Sequence, residues 1–475
     1  MQLFTIKEPE LEFARGKHTC PRAGIAQHDV YDARFKARRD RVLVGAVGTS
    51  AGLEKLAHWI ERCGRVIPAK GDSKQPNLFP SFCGFNSEIG FRASMVLEDE
   101  ITRSLKVSDL RAVKKIKQHS ALVDALLELY YPQVRFLTQN RVVDVVAVVL
   151  PDDVYTKVSK ITRTPVEEEI ENEENDEHRL ENNFRRALKA RVMHLGIPLQ
   201  LVREGSLLDN SGRQDPASKA WNFCTALYYK ANQTVPWKLA VSPNRLPTCF
   251  VGISFYRSRD KKVLNTSLAQ LFDELGNSVI LRGDPLIPDK DDRRPHLTEQ
   301  QAFALLHRAL KEYEVALENN PARLVIHKSS NYSPAELAGF KAAIDHQRIQ
   351  RVDFITLLDT KLRLFREGFY PPHRGTHVEF DDEHHLLYTR GSVPYYRTYT
   401  GMYVPHPLDI RIVEADEAPA QICRELLALT KMNWNNTQFD GRLPITLQCA
   451  RRVGEIMKYL RPEDGEPQTS YSFYM

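Results

Sequence analysis

The sequence has no apolar run near the roughly 18 residues that a membrane-crossing helix needs. Its 7 cysteines (Cys20, Cys63, Cys83, Cys224, Cys249, Cys423 and Cys449) are odd in number, widely spaced and without a C-x-x-C pair. The first absence excludes a helical membrane protein. The second excludes a disulfide scaffold and a zinc module of regular spacing, and leaves buried thiols in a reducing cytoplasm as the expectation. Met1–Glu8 lacks the basic start and apolar stretch of a signal peptide. There is no internal repeat. The loop Gly45–Gly52, GAVGTSAG, matches neither G-x-G-x-x-G nor G-x-x-x-x-G-K-[ST], which argues against a nucleotide-binding enzyme.

The 475 residues suffice for two to four domains, and 42% are hydrophobic, enough for a full core. Net charge is +5. That total hides an asymmetry, because Glu167, Glu168, Glu169, Glu171, Glu173, Glu174, Asp176 and Glu177 crowd one short segment. The remainder is more basic than the sum, which suits a partner that carries phosphates.

The first half alternates strands and helices. Arg41–Val47 is an apolar strand followed by a helix to about Cys63, and the β-branched run Arg141–Leu150 reads as a buried strand. Leu180, Phe184, Leu188 and Val192 recur every four residues and mark a helix that Gly196 ends. Ile197–Val202 is a short strand and Ala217–Tyr229 a helix. This alternation predicts a parallel, doubly wound sheet. The prolines of 232–248 mark a junction.

After it the order changes. Cys249–Arg257, Ser267–Phe272 and Ser278–Leu281 read as strands. A helix then begins at the capping box Thr298–Gln301, followed by the strand Arg323–His327, a helix from the capping box Ser333–Glu336 and the strand Arg351–Leu358. Three strands, helix, strand, helix, strand is the order of the ribonuclease H fold. Alternating aromatic strands fill 377–408, and helices are expected over Gln421–Thr430 and Leu443–Leu460. Asp381-Asp382-Glu383-His384-His385 reads as a charged hairpin turn in preference to a metal site.

Phe250–Ser254 resembles the first strand of a PIWI domain, and Arg323–Ser329 the strand that normally ends in a second catalytic aspartate. Thr430–Asn435 and Leu443–Leu447 resemble the C-terminal signature of that family. Lys230 and Pro236–Leu239 resemble the MID–PIWI junction, and Glu8–Phe13 the segment leading into MID. In this order they make the chain similar to short prokaryotic Argonautes. The resemblance implies an α/β chain with a Rossmann-like MID domain over 1–240 and a ribonuclease-H-like PIWI domain over 241–475.

It also implies a loss. Two-metal cleavage needs carboxylates. The tetrad positions fall on Ser254, Ser329 and Arg451, of which the last would repel a metal; the tetrad glutamate is sought in Leu281–Asp292. A shifted register would bring in Asp260, Asp273 or Glu274, and an active guide-directed nuclease is the alternative. For the guide's 5′-phosphate the resemblance implies Tyr155, Lys160 (Ser159 occupies the family's own lysine position), Gln200 and Lys230. A Mg2+ ion would bridge the guide phosphates and the Met475 carboxylate. Arg185, Arg186, Lys189 and Arg191 are further candidates for backbone contacts. The implied partners are a guide RNA, a target DNA and an APAZ-containing effector, with a sirtuin-like NADase favoured over a TIR NADase or a nuclease. The implied role is cytoplasmic defence against phage or plasmid.

Overall fold

The computed structural model describes residues 1–35, 38–71, 74–158, 182–208, 215–240, 246–259, 264–271, 278–286, 295–368, 370–401, 403–461, 464–465 and 467–475. Lys160, Ser159, the acidic run, Asp260, Asp273 and Glu274 lie outside the described residues.

In the first half the strands Ser94–Val96, Arg41–Gly48, Val145–Leu150 and Leu199–Arg203 pair in that order, all parallel, and Thr102–Ser104 also pairs with Arg41–Gly48. Val145–Leu150 is buried on both faces, as a central parallel strand must be when helices cover both sides. Thr49 caps the helix Ser50–Cys63, its hydroxyl accepting from Gly52 N at 3.1 Å. That cap accounts for the Gly45–Gly52 loop without a nucleotide. The longest helix among the described residues, His119–Asn140, carries Pro132 inside it yet buries Leu122, Leu126, Tyr130, Val134 and Leu137 along one face. The helix Asn182–Val192 and the helix Pro216–Asn232 complete the layer that holds the pocket described below.

The second half is built on one nine-stranded sheet. At its heart Ser278–Leu286, Leu264–Leu271, Thr248–Arg257, Arg323–Lys328 and Arg351–Asp359 lie side by side in that order. The first three are antiparallel neighbours, and the last three run parallel. This is the 3-2-1-4-5 strand order of the ribonuclease H fold. Both anticipated capping boxes form, at Thr298/Gln301 and Ser333/Glu336. The helices they start, Glu299–Leu317 and Pro334–His346, cover one face of the sheet, and Ile445–Met457 covers the other.

The two halves are tied by short segments. The strand Gln2–Thr5 pairs with Thr376–Glu379, so the beginning of the chain extends the sheet of the second half. Leu11–Glu12 pairs with Lys238–Leu239. Beside it the Glu8 carboxylate accepts from Arg374 Nε at 3.0 Å and Lys431 Nζ at 2.9 Å. Burial alone would raise the Glu8 pKa, but Arg374 and Lys431 hold it below the ordinary carboxylate value. Trp237 Nε1 donates to Lys431 O at 3.0 Å, and Trp434 Nε1 to Trp237 O at 3.1 Å. Three motifs far apart in sequence, around Glu8, Trp237 and Lys431–Trp434, thus form one buried knot. Among the described residues no helix is long and apolar enough to cross a membrane.

Candidate nucleic-acid interface

The first candidate site lies where the helix Pro216–Asn232 crosses the strand Leu199–Arg203. Lys230 is fully buried, and its Nζ donates to Gln200 Oε1 at 2.5 Å. Burial lowers the Lys230 pKa well below the usual lysine value, and Arg185 and Arg452 lower it further. A buried ammonium ordinarily stands against a carboxylate. Here the charges that act on it are of its own sign, and a cluster of like cations around a buried donor is a place for an anion.

Arg185 comes from the helix Asn182–Val192 and Arg452 from Ile445–Met457, so both halves build the pocket. The turn Tyr471–Phe473 packs on Pro216–Asn232, and Met475 is fully buried in the same core.

The four residues expected at the phosphate divide. Gln200 and Lys230 come together. Tyr155 is buried in the helix Asp152–Val158, with the Arg203 guanidinium 4.6 Å above its ring. Arg203 pairs in register with Leu150, whereas Gln200 pairs with Ala147. The backbone of Arg203, whose guanidinium stacks on Tyr155, is therefore about 10 Å further along the strand than that of Gln200. Lys160 lies outside the described residues.

The neighbouring cations also divide. Arg186 pairs with Glu455, and Arg191 donates to Asp464 at 2.8 Å, while Arg185 faces Lys230 and Lys189 is buried on the same helix. Arg452 was not anticipated. Its signal in the sequence is only that it follows Arg451.

The second site lies at the end of the strand Thr248–Arg257. A Cβ at Gly252 would stand 2.4 Å from the Thr446 backbone, and one at Gly454 would stand 2.8 Å from the Tyr256 ring. Eight helical residues and four strand residues both span about 12–13 Å, so helix and strand run alongside each other over this stretch. Ser254, midway between Gly252 and Tyr256 and on their face, is covered by the helix near Ala450, one residue before Arg451.

Ser329 lies beside Ser254 on the neighbouring parallel strand, its N–H donating to Ile253 O at 3.3 Å. His327, on the same face as Ser329, pairs through Nδ1 with Thr446 Oγ1 at 2.9 Å and stays neutral, its pKa pushed down to about 3 by burial and by Arg323. Lys328, between the two, donates to Glu336 at 2.9 Å on the opposite face. Ser254 and Ser329 thus lie side by side, and the helix that carries Arg451 packs over the strand of Ser254. Among the described residues, no cluster of three or more carboxylate, imidazole or thiol groups lies there.

A doubly wound parallel sheet joined to a ribonuclease H sheet, with a cluster of cations where they meet, is the fold also found in the MID and PIWI domains of solved Argonaute structures. Solved structures of that class superpose on nearly the whole chain. A Clostridium butyricum Argonaute bound to a guide DNA and a 19-mer target DNA is 18% identical, with a TM-score of 0.65 over 97% of this chain and 53% of that one. Drosophila Piwi is 14% identical, with a TM-score of 0.60 over 100% and 56%. A Marinitoga piezophila Argonaute in complex with a 5′-OH guide RNA is 12% identical, with a TM-score of 0.56 over 100% and 59%. The chain spans just over half the length of these structures, and at such identities the likeness is one of fold. No family model and no curated protein matches the sequence.

Proposed function

We propose that this chain is the guide-directed nucleic-acid-binding subunit of a prokaryotic defence system. It holds a 5′-phosphorylated guide, an RNA, and recognises a complementary single-stranded DNA without cutting it. The observation that carries this reading is the buried Lys230–Gln200 pair with Arg185 and Arg452 as its charged neighbours. Such a pocket is costly in the empty protein and becomes favourable when a phosphate enters.

Mg2+ fits here only together with the guide. The groups around Lys230 are cationic, and a hard dication takes oxygen ligands that offset its charge. Phosphate oxygens and the Met475 carboxylate would supply them. At the second site Ser254, Ser329 and Arg451 offer no carboxylate to a metal pair. Output would then pass to an APAZ-containing effector, a sirtuin-like NADase ahead of a TIR NADase or a nuclease. That partner would have to bind the target-loaded state better than the empty one.

The test is Lys230→Met, which keeps the side chain's bulk and removes its charge. A charge-assisted hydrogen bond to phosphate is worth about 1.5–3 kcal/mol, so affinity for a 5′-phosphorylated guide should fall roughly 10- to 100-fold. Affinity for a 5′-hydroxyl guide should change little. The melting temperature of the guide-free variant should rise, because burying Lys230 costs the fold either the hydration of its charge or its proton. Equal losses for both guides, or a lower melting temperature, would assign Lys230 a structural role and overturn the reading.

A further inference from the structure

A second cluster of polar side chains lies within the second half, on elements that take no part in either site above. His377 is on the strand Thr376–Glu379, His385 on the strand His384–Leu387 and Cys423 on the helix Pro419–Leu429. All three are fully buried. Their ligand atoms all lie within 4.8 Å of one another, with His377 Nε2 3.1 Å from His385 Nδ1 and 3.5 Å from Cys423 Sγ.

Those spacings can be compared with a metal's demands. Zn–N bonds of about 2.0–2.1 Å and a Zn–S bond of about 2.3 Å at tetrahedral angles place N and N about 3.3 Å apart, and N and S about 3.6 Å apart. The cluster is within a few tenths of an ångström of both. The other ring nitrogen of His385, Nε2, is 3.2 Å from the Asp382 carbonyl. Donation to that oxygen fixes the tautomer that leaves Nδ1 free to ligate, the outer-shell arrangement usual for metal-bound histidine.

The close group of ligand atoms holds three side chains, so a fourth would have to turn in. Glu379 is the direct cross-strand partner of His385, two residues from His377, so all three project from one face of the hairpin toward the helix that carries Cys423. Its charge reaches Cys423.

We propose that His377, His385 and Cys423 bind one Zn2+ ion that fastens the hairpin to the helix Pro419–Leu429, with Glu379 turning in as the fourth ligand when the ion enters. Two imidazoles and a thiolate favour a borderline-soft ion over Mg2+ or Ca2+, and full burial of all three suits a structural centre, not a catalytic one. The helix so fastened carries Glu425, which receives Arg323 Nη1 at 2.7 Å, and it leads into the knot at Lys431. The ion would therefore brace the sheet edge that Gln2–Thr5 extends. Metal entry displaces the thiol proton of Cys423, whose pKa burial pushes up to about 12.

The experiment uses the full chain, stripped with a chelator and titrated with Zn2+ and Co2+. The expected result is one ion per chain, a higher melting temperature, and a sulfur-to-cobalt charge-transfer band in the near ultraviolet. Cys423→Ala should lose the band, both it and His385→Gln should weaken uptake at least roughly tenfold, the least that loss of even an outer-shell partner brings, and Cys63→Ala should keep band and uptake. Zinc-edge X-ray absorption of the wild-type chain, which needs no variant, should show one sulfur among nitrogen and oxygen ligands. No stoichiometric uptake by the folded wild-type chain, a shell without sulfur or with several, or a band that survives Cys423→Ala would overturn the proposal.

Discussion

Lys230 carries most of the argument at the scale of single residues. Its cationic form is disfavoured first by burial and then by Arg185 and Arg452. Between its lowered value in the fold and the ordinary value near 10.4, the unfolded chain holds more protons than the native one. The guide-free protein should therefore gain stability as pH rises through that window. A bound phosphate has the opposite effect, because it favours the ammonium. Binding a 5′-phosphorylated guide should then take up a proton within that window and weaken as pH rises through it. The decline should approach tenfold per pH unit at most, and a 5′-hydroxyl guide should show little of it. Calorimetry in buffers of different ionisation enthalpy measures the proton directly; phosphorylated and hydroxyl guides with the same pH profile would count against the pocket. Sequence made Gln200 and Lys230 legible through the family resemblance. Arg452 was not legible, because its partners come from the other half of the chain. The cluster His377, His385 and Cys423 was hidden for a related reason. Its members are brought together by strand register and by a helix packed across it, not by spacing. The charged turn formed at Asp381–Glu383, with Asp381 accepting from the Glu383 and His384 amides, but His385, read as part of that turn, lies fully buried on the strand that follows.

At the scale of elements, the packing of Ile445–Met457 on Thr248–Arg257 sets the second site. Gly252 allows the helix backbone to approach, since a Cβ there would meet the Thr446 carbonyl at 2.4 Å. Backbone cannot step aside as a side chain can. Gly252→Ala should destabilise the protein by about 1–3 kcal/mol, the usual cost of overpacking a core, measured by urea unfolding. An unchanged midpoint would mean that helix and strand are further apart than described. The elements themselves were mostly readable. Thr298 and Ser333 mark helix starts that the structure reproduces, and β-branched runs mark the strands. Helix His119–Asn140 went unread although its apolar residues recur at helical spacing, and Pro132 within it reads as a break. The strand Leu264–Leu271 begins earlier than sequence indicated, and Ser278–Leu286 runs further. Cross-strand pairing, not local propensity, decides such ends.

At the scale of the molecule, the helix Ile445–Met457 packs on the sheet of the second half and against the helix Asn182–Val192 of the first, and its Arg452 acts on Lys230. One element thus touches both the proposed guide pocket and the place where a cutting enzyme would hold its metals. The central claim is that this arrangement reads a strand and leaves it whole. The most direct test loads the wild-type protein with a 5′-phosphorylated guide, adds a complementary and a scrambled single strand with Mg2+ or Mn2+, and follows retention and length together. The account predicts that the complementary strand alone is retained and stays intact. Guide-directed cutting that a single carboxylate substitution abolishes, or retention that ignores complementarity, would contradict it.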